Sequence, residues 1–195
     1  AQIELPVVGE DVGFDLIEYD WVPPHGNGKY AEFVFNVESD YTDYTTFDLR
    51  LTLKLPGDSN GIQIYKQELK GGSDLKLPRY APKDGYTDSL FFRREKRAIN
   101  PEKRNSRAKL SETNLEEIDN YIFRTRSIIE NGKLLKAQYG KIHKPFQFGA
   151  ITNDQVTILF TYWLNTDFTR NLEYSPKLNL FKGKLNRGSE DPGLN

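Results

Sequence analysis

The sequence predicts an all-β protein: a single antiparallel β-sandwich with jelly-roll or Greek-key connections and at most one short helix. Three observations lead to this prediction. Apolar and polar residues alternate along several segments, which is the period of a strand with one buried face. Turn-forming residues separate these segments at short intervals, without long helical patterns. The 12 Phe, 11 Tyr and 2 Trp residues among 195 supply the apolar volume of a core.

The first strands are predicted from the alternation itself. Every second residue is apolar in 31–39 and, more strongly, in 46–56, where a row of Leu residues opposes charged and hydroxyl side chains. The turn sequence GDSNG at 57–61 then leads into a further apolar segment at 62–69. We therefore expect 46–56 and 62–69 to pair as a hairpin.

A strand and a helix are predicted in the middle of the chain. Residues 90–96 read as a strand that continues into a basic segment. A short helix is expected at 111–120, because Ser111 suits the N-cap and Leu115 and Ile118 are spaced for one apolar stripe.

The strongest local signal is the Asn131-Gly132 pair between 121–129 and 133–142. Asn-Gly tolerates positive φ at both central positions of a type I′ turn, which matches the twist of a hairpin. The next strand, 156–164, has large apolar residues on both faces and places Trp163 in the core.

The C-terminal region is predicted to contain one more extended segment, 172–181, followed by a polar tail. Pro176 confines this segment to a sheet edge or a bend. No internal repeat or linker divides the chain, so residues 1–195 are predicted to form one domain.

Composition excludes several classes of site. The chain has no Cys, which removes disulfides, thiolate zinc sites and cysteine nucleophiles. No segment approaches the roughly 20 apolar residues of a transmembrane helix. The first residues, AQIELP, with Ala at position 1, are compatible with signal-peptidase cleavage. We therefore expect a secreted, periplasmic or cell-envelope protein.

No motif nominates a catalytic residue. Nucleophile elbows, phosphate-binding loops and zinc-protease motifs are all missing from the sequence, and the two histidines, His25 and His143, lie far apart in it. We predict no catalytic residue, no metal ligand and no cofactor, and these absences favour a non-enzymatic protein. A carboxylate-based carbohydrate-active hydrolase remains an alternative, since its two acids need only meet in space.

The candidate ligand site is the polar and aromatic stretch SDYTDYTTFD at 39–48. Tyr41 and Tyr44 can stack on sugar rings, and Asp40 and Asp43 can accept hydroxyl protons or contribute oxygens to a Ca²⁺ site, although nothing further supports calcium. Trp21 is a second candidate contact, since a Trp in a loop is an effective binding anchor. The alternative is an ordinary loop, with Trp21 closing one end of the sandwich.

Basic residues are concentrated in the loop predicted at about 93–109. Residues 91–109 contain eight Lys or Arg and two Glu, whereas residues 1–90 contain 16 acidic and 8 basic groups. Phe91 and Phe92 precede the run of basic residues and no aromatic residue lies inside it, which argues against nucleic acid as a partner. The remaining readings are a solvated loop that balances the acidic half and a docking site for an acidic partner. The four candidate docking residues are Arg93, Arg94, Arg97 and Arg104.

Two strings, YIFRTRSIIENGKLLKAQYGKIHKPFQFG and VTILFTYWLNTDFTRNLEYSPKLNLF, resemble uncharacterised bacterial secreted or lipoprotein-like proteins. The resemblance covers roughly residues 121–181 and implies a cell-envelope protein without implying any site residue. A lipoprotein would need an N-terminal Cys, which this chain lacks.

The function expected from these observations is non-enzymatic binding of a protein or carbohydrate outside the cytoplasm. A structural subunit of a cell-envelope assembly is a further alternative. The oligomeric state is left open by the sequence.

Overall fold

The computed structural model describes residues 1–66, 77–102 and 107–173. These residues form eleven strands and no helix. The strands are β1 Gln2–Glu4, β2 Val12–Asp15, β3 Asp20–Trp21, β4 Phe33–Asp43, β5 Thr46–Lys54, β6 Gly61–Lys66, β7 Ser89–Ala98, β8 Ala108–Thr113, β9 Asp119–Glu130, β10 Lys133–Thr152 and β11 Gln155–Asn165.

Two antiparallel sheets pack as a sandwich, which confirms the predicted fold class. The first sheet has the strand order β1-β11-β10-β9-β6 and the second has the order β3-β2-β4-β5-β7-β8. Neighbouring strands of each sheet pair antiparallel throughout. The described part has no helix that is long and apolar enough to span a lipid bilayer.

Aromatic side chains from both sheets fill the space between them. Phe33 of β4 contacts Phe123 of β9 edge to face, with ring centroids 5.0 Å apart. Phe146 of β10 lies 5.2 Å from Phe92 of β7 and 5.3 Å from Phe160 of β11. Such tilted and edge-to-face contacts are the favoured geometry of aromatic rings. They explain why the alternating Phe positions of the sequence face inward.

The Asn-Gly hairpin is confirmed. Strands β9 and β10 flank Asn131 and Gly132, whose φ angles are 52° and 73°. Both values lie in the left-handed region that a type I′ turn requires.

The hairpin expected between 46–56 and 62–69 is wrong. β5 belongs to the six-stranded sheet and β6 to the five-stranded sheet, so the turn at 57–61 carries the chain from one sheet to the other. Both strands are apolar on one face, and that pattern is the same whether they pair with each other or face each other across the core.

Three further expectations are corrected. The segment at 111–120 is not helical: β8 extends to Thr113, and a turn then leads to β9 at Asp119. Its Leu115 is buried, but as part of a turn that closes the core. The basic segment was expected to be a loop from about residue 93, but its described residues up to Ala98 belong to β7, which pairs with β8 from Ala108 onward. Trp163 faces away from the core and is partly exposed. Of the segment expected at 172–181, only the first two residues lie within the described part of the chain.

The two ends of the sandwich differ. One end, which we call the clamp end after a group of charged residues described below, lies where β2 finishes at Asp15 and β4 begins at Phe33. The loop end contains the β4–β5 and β10–β11 connections, together with the end of β7 at Ala98 and the start of β8 at Ala108. At the loop end the side-chain oxygen of Asn153 accepts a hydrogen bond from the backbone N–H of Tyr41 at 2.7 Å, which ties the two sheets together.

Candidate functional site

The residues predicted for ligand binding in 40–44 lie together at the loop end, on β4 and its turn. Tyr41 stacks on Phe47 of β5 with ring centroids 6.4 Å apart, and Tyr44 is 64% exposed beneath the ammonium group of Lys96. Asp43 accepts hydrogen bonds from the backbone and hydroxyl of Thr45, which lower the pKa of its carboxyl. Asp43 therefore mainly stabilises its own turn.

Trp21 lies at the opposite end from that group. Its ring packs edge to face on Phe14 at 5.1 Å and on Phe35 at 6.1 Å, as part of the core boundary. Trp21 pairs with Phe14, and Phe14 pairs with Phe33. Phe33 precedes Tyr41 by eight positions on β4. That spacing corresponds to roughly 26 Å along a strand. Trp21 closes the sandwich and does not share a site with the tyrosines.

The three predicted docking arginines that lie in the described residues are ion-paired. Arg93 donates two hydrogen bonds to Asp48, at 2.8 and 2.9 Å. Arg94 contacts Glu112 at 2.8 Å and the backbone carbonyl of the opposite sheet at Phe148, and Arg97 contacts Glu95. Neighbouring strands thus neutralise much of the basic segment. Arg104 lies outside the described residues, so its predicted role is untested.

The outer end of the β9–β10 hairpin, residues 128–136, extends beyond the strands on either side of it. We call this segment the ribbon. Ile128, Leu134 and Leu135 are 42, 36 and 61% exposed. Leu134 pairs with Ile129 and Lys136 pairs with Ile128, so Ile128 and Ile129, as successive residues, point to opposite faces. The ribbon therefore presents aliphatic side chains on both of its faces.

Neighbouring strands end before the ribbon begins. β6 pairs with β9 only as far as Arg124, and β11 pairs with β10 only from Tyr139 onward. Within the described chain, residues 128–136 pair only with each other. Lys136 also lies over the ring of Phe168 at 4.6 Å. Two-stranded ribbons are marginally stable alone in water, so the surroundings of this ribbon matter to its conformation.

The base of the ribbon is held by a buried group of charges, which we call the clamp: Asp15, Glu32 and Arg126. The guanidinium of Arg126 donates to Glu32 Oε1 from Nε and Nη2, each at 2.5 Å. Nη2 of Arg126 lies 3.8 Å from Asp15 Oδ1, and Cζ of Arg126 lies 4.7 Å from the centroid of the Tyr30 ring. Asp15 ends β2 and Glu32 directly precedes β4, both of the six-stranded sheet, whereas Arg126 belongs to β9 of the other sheet, so the clamp joins the two sheets.

A β-bulge turns Arg126 toward these carboxylates. Thr125 pairs with Gln138 and Ile128 pairs with Lys136, so Arg126 and Ser127 together oppose one residue of β10. Arg126 has a φ of 49°, which is unfavourable for a residue with a Cβ. Bulges re-aim side chains in this way. In a regular strand without this bulge, the Arg126 side chain would point to the outer face of β9, as the Arg124 side chain does.

The two carboxylates of the clamp differ in their electrostatics. Burial raises the pKa of Glu32, outweighing the backbone hydrogen bond from Leu16 and the charge of Arg126. Burial would also raise the pKa of Asp15. Four backbone N–H donors bind its two oxygens at 2.8 to 3.0 Å, however, and lower it overall.

The clamp does not provide the open acid pair of a glycosidase. Both oxygens of Asp15 and both oxygens of Glu32 already accept hydrogen bonds from the protein. An inverting or retaining mechanism needs one acid free to protonate the substrate and another free to attack or activate water. In the described ranges, moreover, no group of three or more His, Asp or Glu side chains is arranged to hold a metal ion.

Sequence reasoning missed both the ribbon and the clamp. The apolar pairs Ile128-Ile129 and Leu134-Leu135 interrupt strict alternation on each side of the Asn-Gly turn, and this signal could have indicated a ribbon with two apolar faces. Glu32 falls on the side of the alternation in 31–39 opposite Phe33 and Phe35, which predicts exposure, yet it is 1% exposed. Its partner is 94 positions away in sequence, so no local pattern could reveal it.

Comparison of the chain with protein-family models, with curated proteins and with solved structures gives no match.

Proposed function

We propose that this protein is a non-enzymatic binding protein that docks a protein partner through the ribbon. The observation that carries the proposal is the exposure of aliphatic side chains on both faces of a two-stranded projection. Exposed apolar groups that cluster on a soluble protein mark interaction sites more often than isolated ones do. The clamp supports this role by fixing the direction in which the ribbon leaves the sandwich.

The partner that fits best is a protein with an apolar cleft and an acidic rim. Lys133 and Lys136 flank the two exposed leucines, and Glu130 is the only acidic residue of the ribbon. Carboxylates around the cleft would complement this positive charge and set the orientation of docking. A lipid bilayer fits less well, because the ribbon ends in Glu130, Asn131, Gly132 and Lys133, whose burial in hydrocarbon is costly.

Site-specific photo-crosslinking in the cells that produce the protein tests the proposal. A photoreactive amino acid at Leu135 should give an adduct with another protein, whereas the same group at Ile151 should not. Ile151 is a matched control, since it is 70% exposed on the same strand at the loop end. The crosslinked protein is then purified, and its affinity is measured with Leu135→Glu and Ile151→Glu.

We expect the Leu135→Glu variant to bind at least tenfold more weakly, with the Ile151→Glu variant unchanged. Equal adducts at both positions, or equal affinities, would refute ribbon docking. Adducts with a second copy of this chain would replace the proposal by self-association. Ribbon-dependent binding to vesicles containing phosphatidylserine would replace it by membrane docking.

A carbohydrate ligand at the loop end is the second candidate. The exposed ring of Tyr44 and the nearby carboxylate of Asp43 favour it. A glycan-array screen that compares the wild type with Tyr44→Ala would separate this candidate from protein docking. Secretion or export to the cell envelope remains a prediction, which cell fractionation would test.

A further inference from the structure

A second feature, independent of the ribbon, lies on the outer face of the five-stranded sheet. The chain segments at 79–83 and 170–172 pair with each other across this face. The N–H of Ala81 donates to the carbonyl of Arg170 at 2.8 Å, and the N–H of Leu172 donates to the carbonyl of Arg79 at 2.9 Å. Ala81 and Leu172 are buried against Ile122 and Tyr139, so the pair of segments is packed on the sheet.

Two arginines are held beneath and beside this pair of segments. Arg170 Nε donates to the carbonyl of Ala81 at 2.7 Å. Arg124 of β9 donates from Nε to the carbonyl of Ser59 at 2.5 Å and from Nη1 to that of Lys83 at 3.3 Å. Both arginine residues are partly buried. Backbone carbonyls therefore fix the direction of each side chain.

The carbonyls of residues 81–83 and the ring of Tyr86 bring the two arginines into one site. The Arg124 guanidinium lies over the Tyr86 ring at 4.5 Å, and Tyr139 is the direct cross-strand neighbour of Arg124. The Tyr86 hydroxyl donates to the carbonyl of Pro82 at 3.0 Å. Burial raises the pKa of Tyr86 to about 12, while Arg124 and Arg170 both act on that hydroxyl in the opposite direction. The Tyr86 hydroxyl therefore binds the carbonyl that lies in sequence between the Ala81 carbonyl, which binds Arg170, and the Lys83 carbonyl, which binds Arg124.

These two charges lack a carboxylate partner among the residues that the structure describes. The neighbouring Arg79 differs, since Glu173 neutralises it at 3.2 Å. Nη2 of Arg124 and both Nη atoms of Arg170 make no hydrogen bond within the described chain. Two neighbouring positive charges repel each other, and carbonyl dipoles offset this repulsion only in part. An anion with several acceptor oxygens would use the remaining donors and remove the repulsion.

We infer that Arg124 and Arg170 form a binding site for an oxyanion, that is, a carboxylate, sulfate or phosphate group. The guanidinium fork matches the geometry of these groups and binds them through paired hydrogen bonds. The bound group would join β9 to the segment at 170–172. Occupancy of the site would therefore stabilise the packing of both outer segments on the sheet.

Arginine side-chain NMR tests the site directly on the wild-type protein. The Nε–Hε resonances of Arg124 and Arg170 should shift and saturate on addition of phosphate, sulfate or acetate, at constant ionic strength held with chloride. The anion with the lowest dissociation constant identifies the preferred group. Arg97, which is exposed and paired with Glu95, should not shift by comparison.

Two matched variants complete the test. Arg170→Gln should weaken binding of the preferred anion at least tenfold, and Arg97→Gln should leave it unchanged. Thermal unfolding of the wild type should move to higher temperature with that anion, and this shift should be lost in Arg170→Gln. Shifts of equal size at Arg97, or an absence of saturation in the wild type, would overturn the site whether or not the variants fold. Neither result depends on the ribbon.

Discussion

Replacing Arg126 with Met would test whether the clamp is an electrostatic link between the sheets. The change keeps most of the apolar stem of the side chain and removes the charge. Glu32, with a side chain that is 0% exposed, is then left without a cation. Breaking a buried ion pair from one side costs roughly 3–5 kcal/mol. Because Arg126 is itself 29% exposed, we expect about 3 kcal/mol, at the lower end of that range.

The pH dependence of this cost separates charge from packing. Burial raises the pKa of Glu32 above its ordinary value of 4.5, so its ionised form is disfavoured in the folded state. Stability is therefore lost as the pH rises from about 4.5 through the folded pKa. Removing Arg126 raises that pKa further, so the cost of the variant should grow from pH 4.5 toward pH 7.5. For one proton the slope is at most about 1.4 kcal/mol per pH unit.

Urea denaturation of the wild type and Arg126→Met at the two pH values measures the effect. Adding Glu32→Gln to Arg126→Met should recover part of the lost stability at pH 7.5, because the buried charge is gone. Arg97→Met is the matched control, since its side chain is 76% exposed, and its cost should stay below about 1 kcal/mol. A cost for Arg126→Met that is the same at both pH values, without recovery by Glu32→Gln, would refute the electrostatic reading.

Two glycine substitutions give further predictions. Gly140→Ala should destabilise the protein by about 3 kcal/mol in urea denaturation, because the added Cβ would lie 2.1 Å from Phe123 Cζ. Gly149→Ala is the control, since a Cβ added there would have no atom within 4 Å. Equal effects of the two substitutions would contradict this packing. Gly132→Ala should cost about 1 kcal/mol through its φ of 73° alone; an unchanged midpoint would mean that the turn does not need left-handed backbone.

The hairpin shows what local sequence could predict. Asn131-Gly132 predicted a turn, and the structure has that turn with left-handed φ at both residues. Turn chemistry acts between adjacent residues, so a short sequence contains all of it. The same reasoning failed at 57–61, where β5 and β6 belong to different sheets. A turn sequence indicates that the chain reverses direction, but it does not indicate which strand the next segment will pair with. The helix expected at 111–120 failed for a related reason: two apolar residues at helical spacing also fit a strand end and a buried turn.

The candidate sites show a sharper limit. The polar and aromatic composition of 39–48 singled out the tyrosines and acids of the loop end, and the structure brings Tyr44 to Lys96 there. It could not show that Trp21 lies at the opposite end. Nor could it show that Arg93 is already paired with Asp48, a residue of the acidic half of the chain. That pair agrees with the balance of acidic and basic segments seen in the sequence.

The sequence by itself determined the all-β class, the inward Phe and Leu rows and the position of the ribbon turn, because each depends on residue spacing of two or on adjacent turn residues. Only the tertiary structure decided which sheet each strand joins, where the ribbon loses its neighbours and how Glu32 meets Arg126. These features depend on contacts between residues far apart in the chain and on a bulge that reverses the direction of one side chain. The periodic pattern of a single strand does not contain that information.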